Sequence, residues 1–310
     1  MKGLEIGLDA GPAPRIRAGD RQGDSHGSRL AGRPAPAMLQ APGPRERTIA
    51  GNLQSTVRDL QRRKARSRRR LALIEGIRLV EEALAAGLTF RGALIAPDLD
   101  RTSRGAALRA ELVRHGVPIE ETAARAFAAL AATDTPQGVL AIIEPRDWTV
   151  AELPTEPGRV LLVLDGVQDP GNVGTLIRTA HALGAGGTVA LRGTADVLNP
   201  KALRAAMGAT FRHPVVGLDD AAFIAWARRN SVTLWATAAD GLPLPDVLSR
   251  KGAEPSGPVA VIVGNEGAGI RPALNAVAAT RVAIPLAAGA ESLNVAVAAG
   301  ILLYEVQHGR

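Results

Sequence analysis

The chain has 310 residues, 46% of them hydrophobic and 22% charged, which is enough length for two domains with buried cores. It holds no cysteine, which excludes a disulfide scaffold, a Cys-ligated zinc or iron–sulfur centre and a thiol nucleophile, and points to a cytoplasmic protein. The net charge of +7 sits in one segment: Arg58–Arg70 carries eight basic residues against the single acid Asp59, so the rest of the chain is neutral and one short stretch invites a polyanionic partner.

Residues 1–48 are rich in Gly, Pro, Ala, Arg and Asp, lack apolar periodicity and carry helix-breaking prolines from Pro12 to Pro44. They are expected to form a disordered tail. No apolar segment there resembles a secretory signal, and Asp9, Asp20 and Asp24 argue against a transit peptide. An over-long translation start, with the true beginning near Met38, is the alternative. No run of about 18 apolar residues predicts a membrane span, so no membrane partner is expected.

A first α/β domain is expected over residues 49–144. It opens on a polar helix from Ser55 to about Arg66, within the basic segment that includes Arg62, Arg63, Lys64, Arg66, Arg68 and Arg69. Leu71–Ile74 reads as a strand, and after Glu75-Gly76 the spacing of Ile77, Leu79, Val80, Ala83 and Leu84 predicts an amphipathic helix. Ala93–Ile95, a helix near Ala106–Arg114, Val117–Ile119 and Gly138–Ile143 continue the alternation. Residues 145–158, with Pro145, Pro154 and Pro157, read as a linker.

The second domain, 159–310, starts on Val160–Leu164, apolar at every position as in a strand buried on both faces of a parallel sheet. Thr188–Leu191, Val232–Ala236, Val259–Val263 and Arg281–Ile284 are the further strands, and Asn294 to Gln307 the last helix. The fold class is therefore α/β, a parallel sheet preceded by a smaller α/β domain.

Three polar clusters follow apolar strands in the second domain: Asp165–Arg178, Gly264–Gly269 and Pro285–Asn294. Loops beyond the carboxyl ends of parallel strands are where such sheets bind ligands. Taken singly, each has a plainer use. Asp169-Pro170-Gly171-Asn172 can be a turn and helix cap, Ser292 and Asn294 can cap the last helix, and Arg178 can pair with a surface acid. Gly264-x-x-Gly267-x-Gly269 lacks the order of a dinucleotide fingerprint and has no P-loop lysine. Three such loops on one domain are harder to assign to turns alone.

In order, the clusters resemble the three motifs of the SpoU (TrmH-like) family of SPOUT methyltransferases, Glu291-Ser292-Leu293-Asn294-Val295 being the most specific. Residues 49–143 resemble the substrate-binding domain that often precedes it, through the basic start, Leu73-Ile74-Glu75-Gly76 and Thr135-Pro136-Gln137-Gly138-Val139. The resemblance implies methyl transfer from S-adenosylmethionine to a ribose 2′-oxygen of RNA, with large-subunit ribosomal RNA favoured over tRNA. It also implies a C-terminal trefoil knot and a homodimer formed through the second domain. It assigns Gly264, Asn265, Gly267, Ile284 and Leu293 to the cofactor, with the turn at Thr237 bordering them. It assigns Arg178, Asn172, Glu266, Ser292 and Asn294 to catalysis, without a metal. The basic residues 62–64, 66, 68 and 69 become the RNA contacts; with 3% aromatics, phosphate contacts must outweigh base stacking. The third cluster departs from the family pattern at Ala288, with Gly289 one place later, and at Ala296. His181 receives no role. A catalytically dead RNA-binding relative and a nucleotide-dependent oxidoreductase are the rival readings.

Overall fold

A computed structural model describes residues 52–249 and 257–308; the expected tail, 1–48, lies outside them. The first elements are α1 (Leu53–Leu60), α2 (Arg63–Arg69), β1 (Ala72–Glu75), α3 (Ile77–Ala85), β2 (Phe90–Ile95), α4 (Ser103–Arg114), β3 (Ile119–Glu121), α5 (Ala124–Ala128) and β4 (Val139–Ile143). The strands form a mixed sheet in the order β1-β4-β2-β3, in which only β2 and β3 are parallel.

Two details depart from the sequence reading. The polar helix is two short helices, because Val57 and Leu60 are drawn into the sheet's core and the chain turns at Gln61, whose side-chain amide donates to the Leu130 carbonyl at 2.9 Å. The strand expected at Val117–Ile119 starts later: Val117 donates its N–H back to Leu112 and belongs to the end of α4, and Pro118 has no N–H to give. Elsewhere the two resemblance motifs meet, the Gly76 N–H donating to the Val139 carbonyl at 3.1 Å. Glu75 accepts the Ala132 N–H at 2.9 Å and the Thr133 hydroxyl, and Gln137 Oε1 accepts the Ile77 N–H at 2.9 Å.

Residues 145–158 are not a free spacer. Thr149 and Glu152 make a reciprocal capping box around one helical turn, Leu153 is buried in the core of the following sheet, and Pro154 lies against Gly186. Pro154, read as a linker residue, instead packs on the following sheet.

The second set of elements comprises β5 (Val160–Asp165), α6 (Pro170–Ala182), β6 (Gly187–Leu191), α7 (Pro200–Ala206), β7 (Val215–Leu218), α8 (Asp220–Arg229), β8 (Thr233–Pro243), α9 (Leu244–Leu248), β9 (Val259–Gly264), α10 (Pro272–Asn275), β10 (Thr280–Ala283) and α11 (Val295–His308). The six strands are all parallel, in the order β10-β8-β9-β5-β6-β7. Successive residues of a strand face opposite sides of its sheet, and β5 uses both. Val160, Leu162 and Leu164 pack under α6 and α11, while Leu161 and Val163 pack toward Phe223 and Trp226 of α8 and Leu274 of α10.

The segment between β6 and β7 leaves this sheet to join the first. Leu203 and Phe211 enter the core of the small sheet beside Ala72, Ile74 and Ile143. Arg204 pairs with the buried Glu75 at 3.5 Å, Arg212 pairs with Glu82 at 2.7 Å, and Arg66 pairs with Asp196 at 2.6 Å.

His213, at the end of that segment, is buried and its Nε2 lies 2.8 Å from the Thr188 hydroxyl. Burial, aided by the nearby His181 ring, lowers its pKa to about 4 from the ordinary 6.5. The folded protein therefore binds this proton less readily than the unfolded chain. The associated stability is complete above pH 6.5 and drains away as the pH falls to 4. The expected loss is about 3 kcal/mol. Urea unfolding of the wild type and of His213→Asn across that range checks it: the difference between the two should change by about this amount.

Candidate active site

Adjacent strands deliver the first two clusters to one place, since Asp165 at the end of β5 is in register with Gly264 at the end of β9. After Asp165 the chain turns through Gly166–Asp169 and enters α6 at Pro170, the helix position where a missing N–H costs nothing. Asp169 is the cap: its Oδ1 accepts the Asn172 N–H at 2.9 Å, and its Oδ2 accepts from Lys201 Nζ at 2.7 Å. Those two partners, Lys201 first, hold its carboxyl below the usual range. Because the aspartate does the capping, the Asn172 side chain is released for other bonds.

Asn172 spends them on the other two clusters. Its Nδ2 donates to Glu266 Oε1 at 3.0 Å, and its Oδ1 accepts from Asn294 Nδ2 at 3.2 Å. Burial works to raise the Glu266 pKa. The hydrogen bonds from the Asn172 amide and from backbone N–H groups, Gln168 and Asp169 among them, outweigh it and hold the carboxyl below its ordinary value. Glu266 is thus an anion at neutral pH.

The loop that carries Glu266 is a tight turn. Asn265 and Gly269 exchange backbone hydrogen bonds at 2.9 and 3.0 Å, and Asn265 Oδ1 accepts the N–H groups of Gly267 and Ala268, each at 2.9 Å. Asn265 Nδ2 donates to the Gly166 carbonyl at 3.0 Å, tying the turn to the first cluster. A Cβ on Gly264 would lie 2.3 Å from the Gly269 carbonyl carbon, so only glycine lets the turn close.

The third cluster joins β10 to α11. Asn294 does cap that helix, its Oδ1 accepting the Ala296 N–H at 2.9 Å, and uses its other side-chain atom on Asn172. Ser292 makes no such bond among the described residues. The left-handed residue of the loop is Gly289, φ 87°, so the glycine placed one position late relative to the family pattern carries the turn. Between Leu286 and Leu293 the Ala290 N–H to Ala287 carbonyl bond is the single backbone–backbone bond among the described residues, leaving a row of peptide groups open to a ligand.

The second and third of these loops border a cavity of about 470 Å³. Gly264, Asn265, Ile284 and Leu293 line it, as do Glu266, Ser292 and Asn294, while Gly267 and Asn172 do not. Thr237, Ala238 and Ala239 form another wall. They stand where the pairing of β8 with β10 slips, Arg281 facing Ala236 and Val282 facing Leu242, so that residues 237–241 leave the ladder. Sequence reasoning reached Thr237 and missed Ala238, Ala239, Val282, Ala298 and Leu302, whose presence depends on that slip and on the placement of α11. Glu266 and Glu291 are the charged residues of the lining; no lysine or arginine belongs to it.

Arg178 stands apart. It lies six residues beyond Asn172 on α6, about 9 Å along the axis, is exposed, and has no hydrogen bond or ion pair among the described residues. It borders the crossing of α6 with α11, where Gly300 lies against the Thr179 methyl. His181, further along the same helix, meets the His213 ring edge-on at 5.8 Å.

The basic segment divides. Arg62, Arg63 and Lys64 are exposed, and Arg68 and Arg69 share Asp59 at the surface. Arg66 does not belong with them. It is 2% exposed, its Nη1 donates to the carbonyls of Leu60 and Gln61, and its Nε and Nη2 donate to Asp196. An arginine so enclosed has no donor face left for a phosphate, which corrects its assignment as an RNA contact.

Behind the cavity, sequence reasoning also missed an ion-paired brace. Asp165, fully buried, accepts the backbone N–H of Arg271 at 2.8 Å and its Nε, and Arg271 reaches on to Asp220 at 2.8 Å.

Comparison with known proteins agrees with this geometry. Residues 159–304 match the SpoU rRNA Methylase family and residues 55–141 the MRM3-like substrate binding domain. The chain is 36% identical over 249 residues to the Bacillus subtilis 23S rRNA (guanosine(2553)-2'-O)-methyltransferase RlmP, covering 80% of this chain and 93% of that protein. Among solved structures, the AdoMet-bound rRNA methyltransferase of Sinorhizobium meliloti superposes with a TM-score of 0.71 at 31% identity, over 84% of this chain and 96% of the other. The SpoU methyltransferase AviRb of Streptomyces viridochromogenes, in complex with AdoMet, gives 0.72 at 28% identity, over 84% and 98%.

Proposed function

The chain belongs to the SpoU rRNA methylase family, and from that premise we propose that it transfers a methyl group from S-adenosylmethionine to a ribose 2′-oxygen of large-subunit ribosomal RNA. The observation that carries the reading is the cavity between the second and third loops, both of which bond to Asn172 of the first, with two acids and no base among its lining side chains. When bound, S-adenosylmethionine supplies a methyl group on a positively charged sulfur, open to in-line displacement by an oxygen. The wall fits that group: an ionised Glu266 favours a cation, Ile284 and Leu293 offer apolar surface, and the open peptide groups of 286–293 suit a nucleoside. A dinucleotide, with its pyrophosphate, would favour cations in a lining whose charged residues are Glu266 and Glu291.

The chain's own residues then have distinct tasks. Gly264, Asn265, Ile284 and Leu293 hold the cofactor, and Gly267 keeps the turn that bears Glu266. Asn172, Ser292 and Asn294 align the ribose with Glu266. Arg178 acts as a fixed positive charge. It stabilises the negative charge growing on the 2′-oxygen and grips a neighbouring phosphate, and a phosphate oxygen or water takes the proton. Arg62, Arg63, Lys64, Arg68 and Arg69 hold RNA through phosphates, so binding weakens steeply with salt.

A homodimer and a trefoil knot belong to the same reading. The exposed face of α11 presents Val297, Ile301 and Tyr304, the last 54% exposed, and such an apolar stripe supports pairing of two copies there. The strand order supports the knot: the chain leaves β9, passes beyond β8 to form β10, and returns as α11 against β5 and β9.

Incubation of the protein with labelled S-adenosylmethionine and either ribosomal RNA or tRNA tests the function. Label is expected in a single 2′-O-methylated nucleotide of the large-subunit RNA. Label in tRNA alone would move the substrate, tight cofactor binding without transfer to any RNA would favour a non-catalytic relative, and binding of NAD(P) in place of S-adenosylmethionine would favour an oxidoreductase.

A further inference from the structure

Arg66 and Asp196 are 130 residues apart and join the helix at the centre of the basic segment to the sheet that bears the cavity. On α2, Lys64 and Arg68 face solvent while Arg66 turns inward, so one short helix is a phosphate-binding face on one side and an anchor on the other. Asp196 is equally committed. Its Oδ2 takes both Arg66 bonds, at 2.9 and 2.6 Å, and its Oδ1 accepts the Leu198 N–H at 3.0 Å. The residues just before it reach the site. Ala195 donates its N–H to the Val167 carbonyl at 2.8 Å, and the Thr194 hydroxyl donates to the Leu164 carbonyl at 2.9 Å and accepts the Gly166 N–H at 3.2 Å. Gly166 in turn accepts from Asn265, whose neighbour is Glu266.

From these bonds we infer that Arg66 and Asp196 are a positioning pair: they fix the RNA-holding helix to the loops around Glu266 and thereby set the offset at which bound RNA meets the cavity. The catalytic part of the inference rests on the methyl-transfer reading above; the anchoring part does not. Each step from Arg66 to Glu266 is a hydrogen bond or a chain neighbour. The pair is separable from the fold, because Leu203, Phe211 and the Glu75–Arg204 and Glu82–Arg212 pairs also hold the two sheets together.

Asp196→Asn alone would leave a buried guanidinium uncompensated and could unfold the chain. The test therefore uses the double variant Arg66→Gln with Asp196→Asn, which leaves neither charge, in the full chain. Hydrogen exchange without RNA reads the anchoring, and methyl transfer to ribosomal RNA reads its consequence. Exchange at the N–H groups of Ala195, Gly166, Gly267 and Ala268 is expected to quicken at least fivefold. The kcat should fall at least tenfold, with the Kd for RNA and its salt dependence within twofold of the wild type because the exposed arginines remain. A merely structural pair would lower Tm without splitting kcat from RNA affinity. Unchanged exchange at those four amides overturns the inference whatever the activity; quickened exchange with unchanged kcat, or a loss confined to RNA affinity, overturns its catalytic part. A wild type that methylates no RNA counts against the proposed function, and the exchange data still decide whether the anchor exists.

Discussion

Replacing Arg178 with alanine is expected to slow methyl transfer about 100- to 1,000-fold, the range seen when one donor to a developing oxyanion is removed, and to leave folding and S-adenosylmethionine binding as they are. The separation follows from where the residue sits. Arg178 is exposed on α6, makes no hydrogen bond or ion pair among the described residues and is not part of the cavity lining, so alanine removes nothing the resting protein uses. A surface change of that kind alters stability by about 0.5 kcal/mol or less. Single-turnover transfer with saturating cofactor, a cofactor titration and a melting curve measure the three quantities. Arg178→Lys sharpens the test. If the arginine acts as a fixed charge, lysine should retain part of the rate and show no rise with pH through the lysine pKa. A rate that climbs through that pKa to the wild-type value would show that a base was needed, and the fixed-charge mechanism would fall.

The second large effect is on stability. Asp165→Ala should destabilise the protein by about 3 kcal/mol, near the lower end of the range for breaking a buried ion pair from one side. Asp165 is fully buried at the end of the central strand and receives two hydrogen bonds from Arg271. Burial draws the Arg271 pKa down, yet the bonds and charges of Asp165 and Asp220 outweigh it and hold it raised. With Asp165 gone, Arg271 keeps Asp220, which is why the lower figure applies. Asp220→Ala, at a more exposed site, should cost less. Urea titration of both variants orders them, and an Asp165→Ala protein as stable as wild type would remove the brace from the account. Since Arg271 directly follows the turn at Gly264–Ile270, the same variant should also loosen Glu266.

Much of this was written in local pattern. Val160–Leu164 and Val259–Val263 are apolar at every position because both faces of their sheet are covered, and they are strands of that sheet. The three clusters were singled out because they follow strands, and they converge on Asn172. What escaped depends on partners far away in the chain. The strand β7 is four residues long and interrupted by the exposed Gly217, so its pairing with β6 is what defines it. The extension of β8 to Pro243 is a register slip against β10, and register is not a property of one segment. Arg66 looks like its neighbours in a basic run, and nothing near it announces Asp196. Leu153 and Pro154 resemble linker residues until the sheet they pack on is present.

The asparagine at the centre of the site has a consequence for the order of events in the cell. Asn172 bonds to a glutamate 94 residues later and to an asparagine 122 residues later, the last of which begins the final helix. A chain still under synthesis can possess its basic helix and its first loop long before it possesses a completed site. If the basic helix holds RNA as proposed, a chain lacking Asn294 would keep that helix while missing the bond that ties the third cluster to Asn172.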